Sequence, residues 1–223
     1  MSFDINSPEF NDNRNYNYSP DAREVRKEYR YFVDAIPAGS SVLDLGCGDG
    51  TLMEILAVEK KCEVTGIELS ESGVRIGKNK GLNVLQGRID ERLPFEDNSF
   101  DYAICNTTIQ MVMYPEVLLR EMMRVAPKQI VSFPNFAFYK NRMQLFFGGK
   151  MPAHCLFGYE WYNTGHIHQL SCSDFRELVS KISHNPKIKI LNRATGSSPK
   201  DYLINTFPDL FHIFPVYFIG KND

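Results

Sequence analysis

The feature that most constrains the fold of this chain is the glycine-rich segment VLDLGCGDGT at 42–51. The apolar run at its start predicts a buried strand, and the amphipathic pattern after it predicts a helix. Gly46, Gly48 and Gly50 allow a sharp turn and a close approach of the backbone to a ligand, where a Cβ would clash. The first N–H groups of the helix are unpaired and favour an anionic or strongly accepting group. The segment therefore predicts a ligand-binding turn between a strand and a helix.

The spacing of these glycines separates two classes of ligand. A dinucleotide fingerprint, G-x-G-x-x-G, would place its third glycine at position 51, where Thr51 stands. The observed G-x-G-x-G, preceded by Asp44, is similar to the first motif of class I methyltransferases, which bind S-adenosylmethionine. A nucleotide-dependent oxidoreductase on a related fold is the alternative, and Thr51 disfavours it. The resemblance implies S-adenosylhomocysteine as the product and these cofactor contacts: Asp44, Gly46, Cys47, Gly48 and Gly50.

From Ser41 onward, short apolar runs alternate with amphipathic segments, a pattern typical of parallel sheets with crossover helices. The predicted strands are 41–45, 63–69, 83–86, 101–106, 129–133, 188–191 and 213–219, the last one antiparallel. The predicted helices are 21–33, 51–59, 71–79, 115–125 and 136–147, with one more starting at the capping pair Ser171 and Asp174. The expected architecture is α/β: a Rossmann-like class I methyltransferase fold with a mostly parallel seven-stranded sheet, helices on both faces and a small cap after strand 5.

The length of 223 residues suits one α/β domain. Residues 1–20 are rich in Asn, Asp, Ser and Pro and lack any periodicity, so we expect a flexible polar leader followed by a single methyltransferase-like domain at 21–223. We interpret the helix at 21–33 as a covering helix, with a position across the cofactor cleft as the alternative.

Charge and hydropathy limit the expected partners. The net charge of −2 gives no sign of the broad basic surface that tight nucleic-acid binding needs. No apolar stretch reaches the roughly 18 residues of a membrane span, and the N-terminus has no secretory pattern. We therefore expect a cytoplasmic protein without a nucleic-acid or membrane partner. The five cysteines are scattered and form no CxxC pair, so we expect reduced, buried thiols and no metal site.

Two acidic segments extend the predicted cofactor site beyond the glycine turn. Glu68 ends the second predicted strand about 20 residues past the turn, where a carboxylate can accept hydrogen bonds from both ribose hydroxyls. Leu69 follows it and belongs to the same predicted site. After the third strand, Arg88 stands where many methyltransferases carry an acidic residue close to the adenine amino group. Ile89 or Asp90 is therefore expected to contact adenine.

Asn106 ends the fourth predicted strand, where folds of this kind bring a residue close to the sulfonium and the methyl group. The sequence NTTI at 106–109 does not match the Asn/Asp-Pro-Pro-aromatic motif of nucleic-acid amino-methyltransferases. A small-molecule acceptor is favoured instead. The sulfonium is already an excellent leaving group, so alignment of the acceptor supplies most of the catalysis and the sequence singles out no catalytic side chain.

Three further segments of the sequence point to a narrower family than the glycine turn does. The segment SFPNFAFYKNRMQLFFGGKMP at 132–152, the segment YEWYNTGHIH at 159–168 and NTTIQMV at 106–112 together resemble the MetW family of methionine-biosynthesis proteins. The resemblance covers 41–181. It implies either a methyltransferase acting on a small molecule or a non-catalytic activating or sensing partner of homoserine O-acyltransferase.

The aromatic and histidine residues of the segment at 159–168 are candidates for a substrate pocket over the cleft, in which a histidine could accept a proton. The alternative is that the rings pack as a cap and the histidines bind backbone groups. The candidates are Tyr159, Trp161, Tyr162, His166 and His168.

The helix at 136–147 is predicted to place Phe136, Tyr139, Met143, Phe146 and Phe147 on one face. Lys140, Arg142 and Lys150 are interpreted as its solvated basic face.

Overall fold

The computed structural model describes residue 18 and residues 25–156, 158–162, 164–196 and 198–220. Its sheet has seven strands in the order β3-β2-β1-β4-β5-β7-β6. β7 runs antiparallel to β5 and β6, and the other neighbouring strands are parallel. The predicted class I architecture and the antiparallel last strand are confirmed. The strands are β1 Ser41–Leu45, β2 Glu63–Glu68, β3 Asn83–Gln86, β4 Tyr102–Asn106, β5 Lys128–Ser132, β6 Lys187–Ile190 and β7 Val216–Gly220.

The described helices agree with the predicted ones in position, apart from the first helix, the start of the helix predicted at 136–147 and two additional helices. The segment predicted as a helix at 21–33 is helical from Tyr29 only, and its residues 21–24 lie outside the described ones. Two short helices near the C-terminal end were not predicted. The helices are α1 Tyr29–Ala35, α2 Thr51–Lys60, α3 Glu71–Asn79, α4 Pro115–Val125, α5 Tyr139–Gly148, α6 Cys172–Ile182, α7 Pro199–Thr206 and α8 Pro208–Phe211, with a 3-10 turn at Ile109–Met111.

Local sequence explains where several helices begin and end. The Ser171 side chain accepts a hydrogen bond from the Asp174 N–H, and the Asp174 carboxylate accepts one from the Ser171 N–H. The predicted capping box at the start of α6 is therefore confirmed. α5 starts at Tyr139 and not at Phe136, whose N–H donates to the carbonyl of Leu170. α5 ends at Gly149, which adopts the left-handed conformation.

The central strands are apolar on both faces, as expected for parallel strands covered by helices. One core cluster contains Leu118 of α4 and Phe175 of α6, and another contains Phe32 of α1 and Leu56 of α2. The helices therefore cover opposite faces of the sheet and leave the carboxyl ends of β1, β2 and β4 side by side at one edge.

All five cysteines are buried with free thiols, in agreement with the prediction. Within the ranges that the structure describes, no group of three or more His, Cys, Asp or Glu residues could hold a metal ion. A search of the same residues finds no helix that is long and apolar enough to span a bilayer.

Candidate functional site

A large cavity opens at the carboxyl ends of the strands, the edge where open α/β sheets bind ligands. Its volume is about 1190 Å³, which exceeds the usual range of small-molecule pockets. β1 contributes Asp44, β2 contributes Glu68 and β4 contributes Asn106 to its wall. The residues predicted to converge on one ligand thus line one hollow. Gly50 is the one predicted cofactor residue absent from its lining, because it forms the N-cap of α2 behind the turn.

The glycine turn has the backbone that its sequence predicts. Gly46, Gly48 and Gly50 have φ angles of +80°, +58° and +76°, in the region that favours glycine. A Cβ on Gly46 would lie 2.6 Å from Thr108 Cγ2, so a side chain there would collide with the loop after β4. Asp49 fixes the turn because its carboxylate accepts hydrogen bonds from the Thr51 N–H at 3.0 Å and hydroxyl at 2.7 Å.

Glu68 joins the glycine turn to the second strand. Its Oε2 accepts a hydrogen bond from the Gly48 N–H at 2.8 Å, and its Oε1 accepts one from the Ser70 N–H at 2.8 Å. A carboxylate oxygen can accept more than one hydrogen bond, so these two backbone bonds are compatible with ligand hydroxyls at the same oxygens. The side chain is buried at the cavity wall, and the backbone bonds hold it in one orientation.

Asp44 is a buried carboxyl on the same wall, only 2% exposed. Burial, and secondly the charge of Glu68, raise the pKa of Asp44 to about 7. Two buried carboxyl groups on one cavity wall that repel each other when ionised favour a positively charged ligand beside them. The arrangement suits a cation at the β1 side of the cavity.

The raised pKa gives the binding of a cationic ligand a predicted pH dependence. Such a ligand favours ionised Asp44, so the affinity for S-adenosylmethionine, used here as a cationic probe, should rise by about tenfold between pH 6 and pH 8. Asp44→Asn should remove this step. Calorimetric titration at several pH values measures it, and an affinity of the unaltered chain that stays constant over this window would contradict the assignment of Asp44.

The same group makes the ligand-free protein less stable at neutral pH. The folded pKa of Asp44 lies above the ordinary value of 3.8, so between these two values the folded chain keeps a proton that the unfolded chain has released. The free energy of unfolding therefore falls as the pH rises through this window, and binding of a cationic ligand should raise it again.

The segment after β3 places Ile89 and Asp90 at the cavity, as predicted. Asp90 is buried and already heavily bonded: it accepts a bidentate pair from Arg88, at 3.1 and 2.9 Å, and the N–H groups of Met113 and Tyr114 at 2.8 and 3.1 Å. Asp90 thus mainly links the segment after β3 to the loop at 113–114. The backbone around Ile89 is therefore better placed than the Asp90 side chain to contact a ligand ring.

Asn106 lies at the cavity beside Thr107 and Thr108. Its Oδ1 accepts a hydrogen bond from the Ser132 hydroxyl at 2.5 Å and one from the Thr107 hydroxyl at 3.3 Å. Thr107 has a φ of +55°, which is rare and costly for a β-branched residue. The end of β4 is thus a strained turn held by side-chain hydrogen bonds.

The five predicted pocket residues divide among three places. Tyr159 and His166 line the cavity, and His166 is 9% exposed. Trp161 and Tyr162 face outward, with 69% and 60% of their surfaces exposed. His168 lies against a separate hollow of about 260 Å³ near Pro115. The expectation that all five lie over the cleft is therefore wrong for the last three, because the chain turns outward after Tyr159 and returns at His166.

The cavity also has lining residues that were not predicted. Tyr18 lies over the glycine turn, within 3.3 Å of where a Cβ of Gly48 would be, and its N–H donates to the Ser72 hydroxyl. Residues 25–31 form another wall, while Phe32 packs in the core, so the structure supports both interpretations of this segment, a covering helix and a position at the cleft. Burial raises the pKa of Tyr29 well above its ordinary value.

Comparison with known proteins agrees with this geometry. The family model described as "Methionine biosynthesis protein MetW" matches residues 26–218. The bifunctional methionine biosynthesis protein MetXA/MetW of Rhodopirellula baltica is 34% identical over 161 residues, which are 68% of this chain and 26% of that protein. The chain thus spans about a quarter of that relative's length. A demethylmenaquinone methyltransferase of Staphylococcus haemolyticus is 32% identical over 180 residues, covering 72% of this chain and 74% of the relative.

Among solved structures, a SAM-dependent methyltransferase from Thermotoga maritima superposes with a TM-score of 0.60. It is 22% identical, and the match covers 87% of this chain and 88% of that chain. This likeness shows the fold. Because the family model matches most of its length, the chain belongs to the MetW family of methionine biosynthesis proteins, and the structural match shows that it has the class I methyltransferase fold.

Proposed function

We propose that the cavity binds S-adenosylmethionine and that the chain transfers its methyl group to a small molecule. The observation that carries this proposal is the Glu68 carboxylate, which lies in the same hollow as the glycine turn and is bonded to the Gly48 N–H at 2.8 Å. The residues proposed to hold the cofactor are Asp44, Gly46, Cys47, Gly48, Glu68, Leu69, Ile89 and Asp90, with Asn106 close to its methyl group.

Several features of the cavity fit this ligand. Glu68 can accept from the two ribose hydroxyls, and Gly46 and Gly48 line the cavity without side chains that would keep a ligand away from the backbone. Asp44 offers a buried negative charge to the cationic part of the ligand. Strand order supports this too: β3, β2, β1 and β4 are consecutive neighbours, about 4.8 Å apart. A ligand with its adenine at β3 and its ribose at β2 would extend past β1 toward β4.

When bound, the cofactor supplies a methyl group on a good leaving group. The chain's own contribution is then to orient the acceptor and exclude water, which is worth on the order of 7 to 11 kcal/mol in favourable cases. Tyr29, Leu156 and Tyr159 line the cavity and supply apolar surface for this purpose. No side chain has to act as a nucleophile.

A methyl-release assay tests catalysis directly. Purified chain is incubated with S-adenosylmethionine and a panel of small-molecule acceptors, with and without homoserine O-acyltransferase, and formation of S-adenosylhomocysteine is measured. Acceptor-dependent product that disappears in Glu68→Ala supports methyl transfer. Tight cofactor binding without product for any acceptor favours the second function below.

The second candidate is an activating or sensing partner of homoserine O-acyltransferase. The Rhodopirellula relative is named as a bifunctional MetXA/MetW protein, so a region like this chain is there joined to a second one. The second observation is the α5 face, defined as Tyr139, Met143, Phe146 and Phe147. Two of its aromatic residues, Phe146 and Phe147, are 81% and 72% exposed.

The α5 face has the properties of a protein-docking surface. Its apolar residues are three and four positions apart and so share one side of the helix. Exposed apolar groups of this size commonly mark interaction sites. α5 also carries Lys140 and Arg142 and no acidic residue, which favours a partner with an acidic rim. We propose that this face contacts the acyltransferase.

The docking proposal predicts the effect of a double substitution. Phe146→Ser with Phe147→Ser should weaken binding to homoserine O-acyltransferase by at least about tenfold, because buried aromatic anchors carry much of the binding energy of interfaces. Binding of S-adenosylmethionine should not change. Val58→Ser is the matched control, since Val58 is 73% exposed on α2. Biosensor measurements in which the double variant binds as tightly as this control would exclude the α5 face.

A further inference from the structure

The end of β4 contains a hydrogen-bond network that fixes the orientation of one amide. The Thr107 N–H is shared between two atoms of the buried Ser132: it donates to the carbonyl at 3.1 Å and to the hydroxyl at 3.2 Å. The proton of the Ser132 hydroxyl then needs an acceptor, because a buried unpaired hydroxyl is costly. Asn106 Oδ1 lies 2.5 Å away and is that acceptor.

The opposite orientation of the Asn106 amide is disfavoured by the same atoms. With the amide reversed, Ser132 Oγ would receive two N–H donors, and its own proton would point at a donor. The Thr107 hydroxyl adds a second donor to Oδ1 at 3.3 Å. Asn106 Oδ1 is therefore occupied by two hydroxyls, and its Nδ2 remains to interact with the contents of the cavity.

The strain at Thr107 indicates that this arrangement is held at a cost. A β-branched residue with a φ of +55° pays about 1 to 3 kcal/mol. That conformation brings both the Thr107 N–H and hydroxyl onto the Ser132–Asn106 pair. The Thr107 carbonyl in turn accepts a hydrogen bond from Gln110 Nε2 at 2.9 Å, which fixes the turn from its other side.

We propose that Asn106 is a hydrogen-bond donor to the methyl acceptor, so that the acceptor carries a carboxylate, carbonyl or phenolate oxygen at this position and not an amine. The inference rests on the proposed binding of S-adenosylmethionine. An N–H donor pair repels the N–H groups of an amine or ammonium and attracts lone pairs on oxygen. Ser132 is a positioning residue, because it orients the amide from outside the cavity lining.

The test uses nuclear magnetic resonance of the full chain saturated with S-adenosylhomocysteine. Benzoate and benzylamine are the probes, since they have similar shapes and differ in the sign of the hydrogen-bonding group. The Asn106 side-chain amide signals are assigned by their absence in Asn106→Asp. Benzoate should shift these signals and bind about fivefold more tightly than benzylamine, a difference expected for one charge-assisted hydrogen bond.

Two variants test the role of the network. Ser132→Ala frees the amide to reverse, so the preference for benzoate should fall below about twofold. Asn106→Asp removes the donors and should reverse the preference. A thermal melt checks that each variant is folded, and either variant alone suffices for the comparison.

Several outcomes would overturn the inference. One is an equal or greater shift of the Asn106 signals with benzylamine. Another is an Asn106 amide signal that shifts when S-adenosylhomocysteine binds and does not shift further when benzoate is added, since Asn106 would then bind the cofactor's own carboxylate. A lack of response to benzoate also counts against it. Failure of S-adenosylhomocysteine to bind at all would instead contradict the proposed function, so the two failures are distinguishable.

Discussion

Replacing Gly46 with valine is expected to lower the affinity for S-adenosylmethionine by about 100-fold or more, equivalent to about 2.7 kcal/mol. Two physical effects combine. The residue has a φ of +80°, which a β-branched residue adopts only under strain, and the new Cβ would lie 2.6 Å from Thr108 Cγ2. The turn and the loop after β4 would have to separate, which displaces two walls of the cavity. Calorimetric titration measures the loss.

Gly81→Val is the matched control for this substitution. Gly81 has a φ of +76°, but no atom lies within 4 Å of a Cβ built on it, and it lies outside the cavity lining. The substitution Gly81→Val should destabilise the fold through backbone strain while leaving the affinity for S-adenosylmethionine nearly unchanged. Equal affinities in the two folded variants would show that Gly46 does not shape the binding site.

Glu68→Ala is expected to weaken binding of S-adenosylmethionine by about 2 kcal/mol, or roughly 30-fold, the size expected for losing charge-assisted hydrogen bonds. Its carboxylate is the proposed acceptor for the ribose hydroxyls. Glu68→Gln should lose less than alanine, because one oxygen remains as an acceptor while the amide donates where an acceptor is required.

Glu63→Ala provides the comparison, because Glu63 is exposed at the opposite end of the same strand. It should leave the dissociation constant within a factor of about two, as exposed substitutions away from special features usually do. An affinity of Glu68→Ala as high as that of Glu63→Ala would remove Glu68 from the site.

The alternation of apolar and amphipathic segments was sufficient to predict the sheet. Buried strands such as 41–45 and capped helices such as that beginning at Ser171 carry strong local signals, and both lie where they were predicted. Two helices with weak sequence signals were not predicted. α7 and α8 are short and exposed, with no fully buried residue, so neither has the periodic apolar face on which helix prediction relies.

The α5 face shows a second limit of prediction. Residues spaced three and four apart identify one side of a helix but not what lies against it. Phe146 has the pattern of a core residue and the exposure of a surface one. Whether such a face is buried in its own chain or left for a partner depends on the position of α5 relative to the sheet, and tertiary packing determines that position.

The site was predictable where its residues follow from strand order, and less so elsewhere. Parallel strands bring the turn at Gly46 and the carboxylate of Glu68 to one edge, so their convergence follows from the fold. Tyr29 and Thr107 could not be found in this way. Tyr29 reaches the cavity through the packing of α1, and the left-handed turn at Thr107 depends on Ser132, which is distant in sequence.

Calorimetric titration of the unaltered chain with S-adenosylmethionine and, separately, with NAD is the most direct test of the central claim that the cavity is a site for an adenosyl amino acid. Saturable one-site binding of S-adenosylmethionine without measurable heat from NAD is predicted. Saturable binding of NAD, or no binding of S-adenosylmethionine at millimolar concentration, would contradict it.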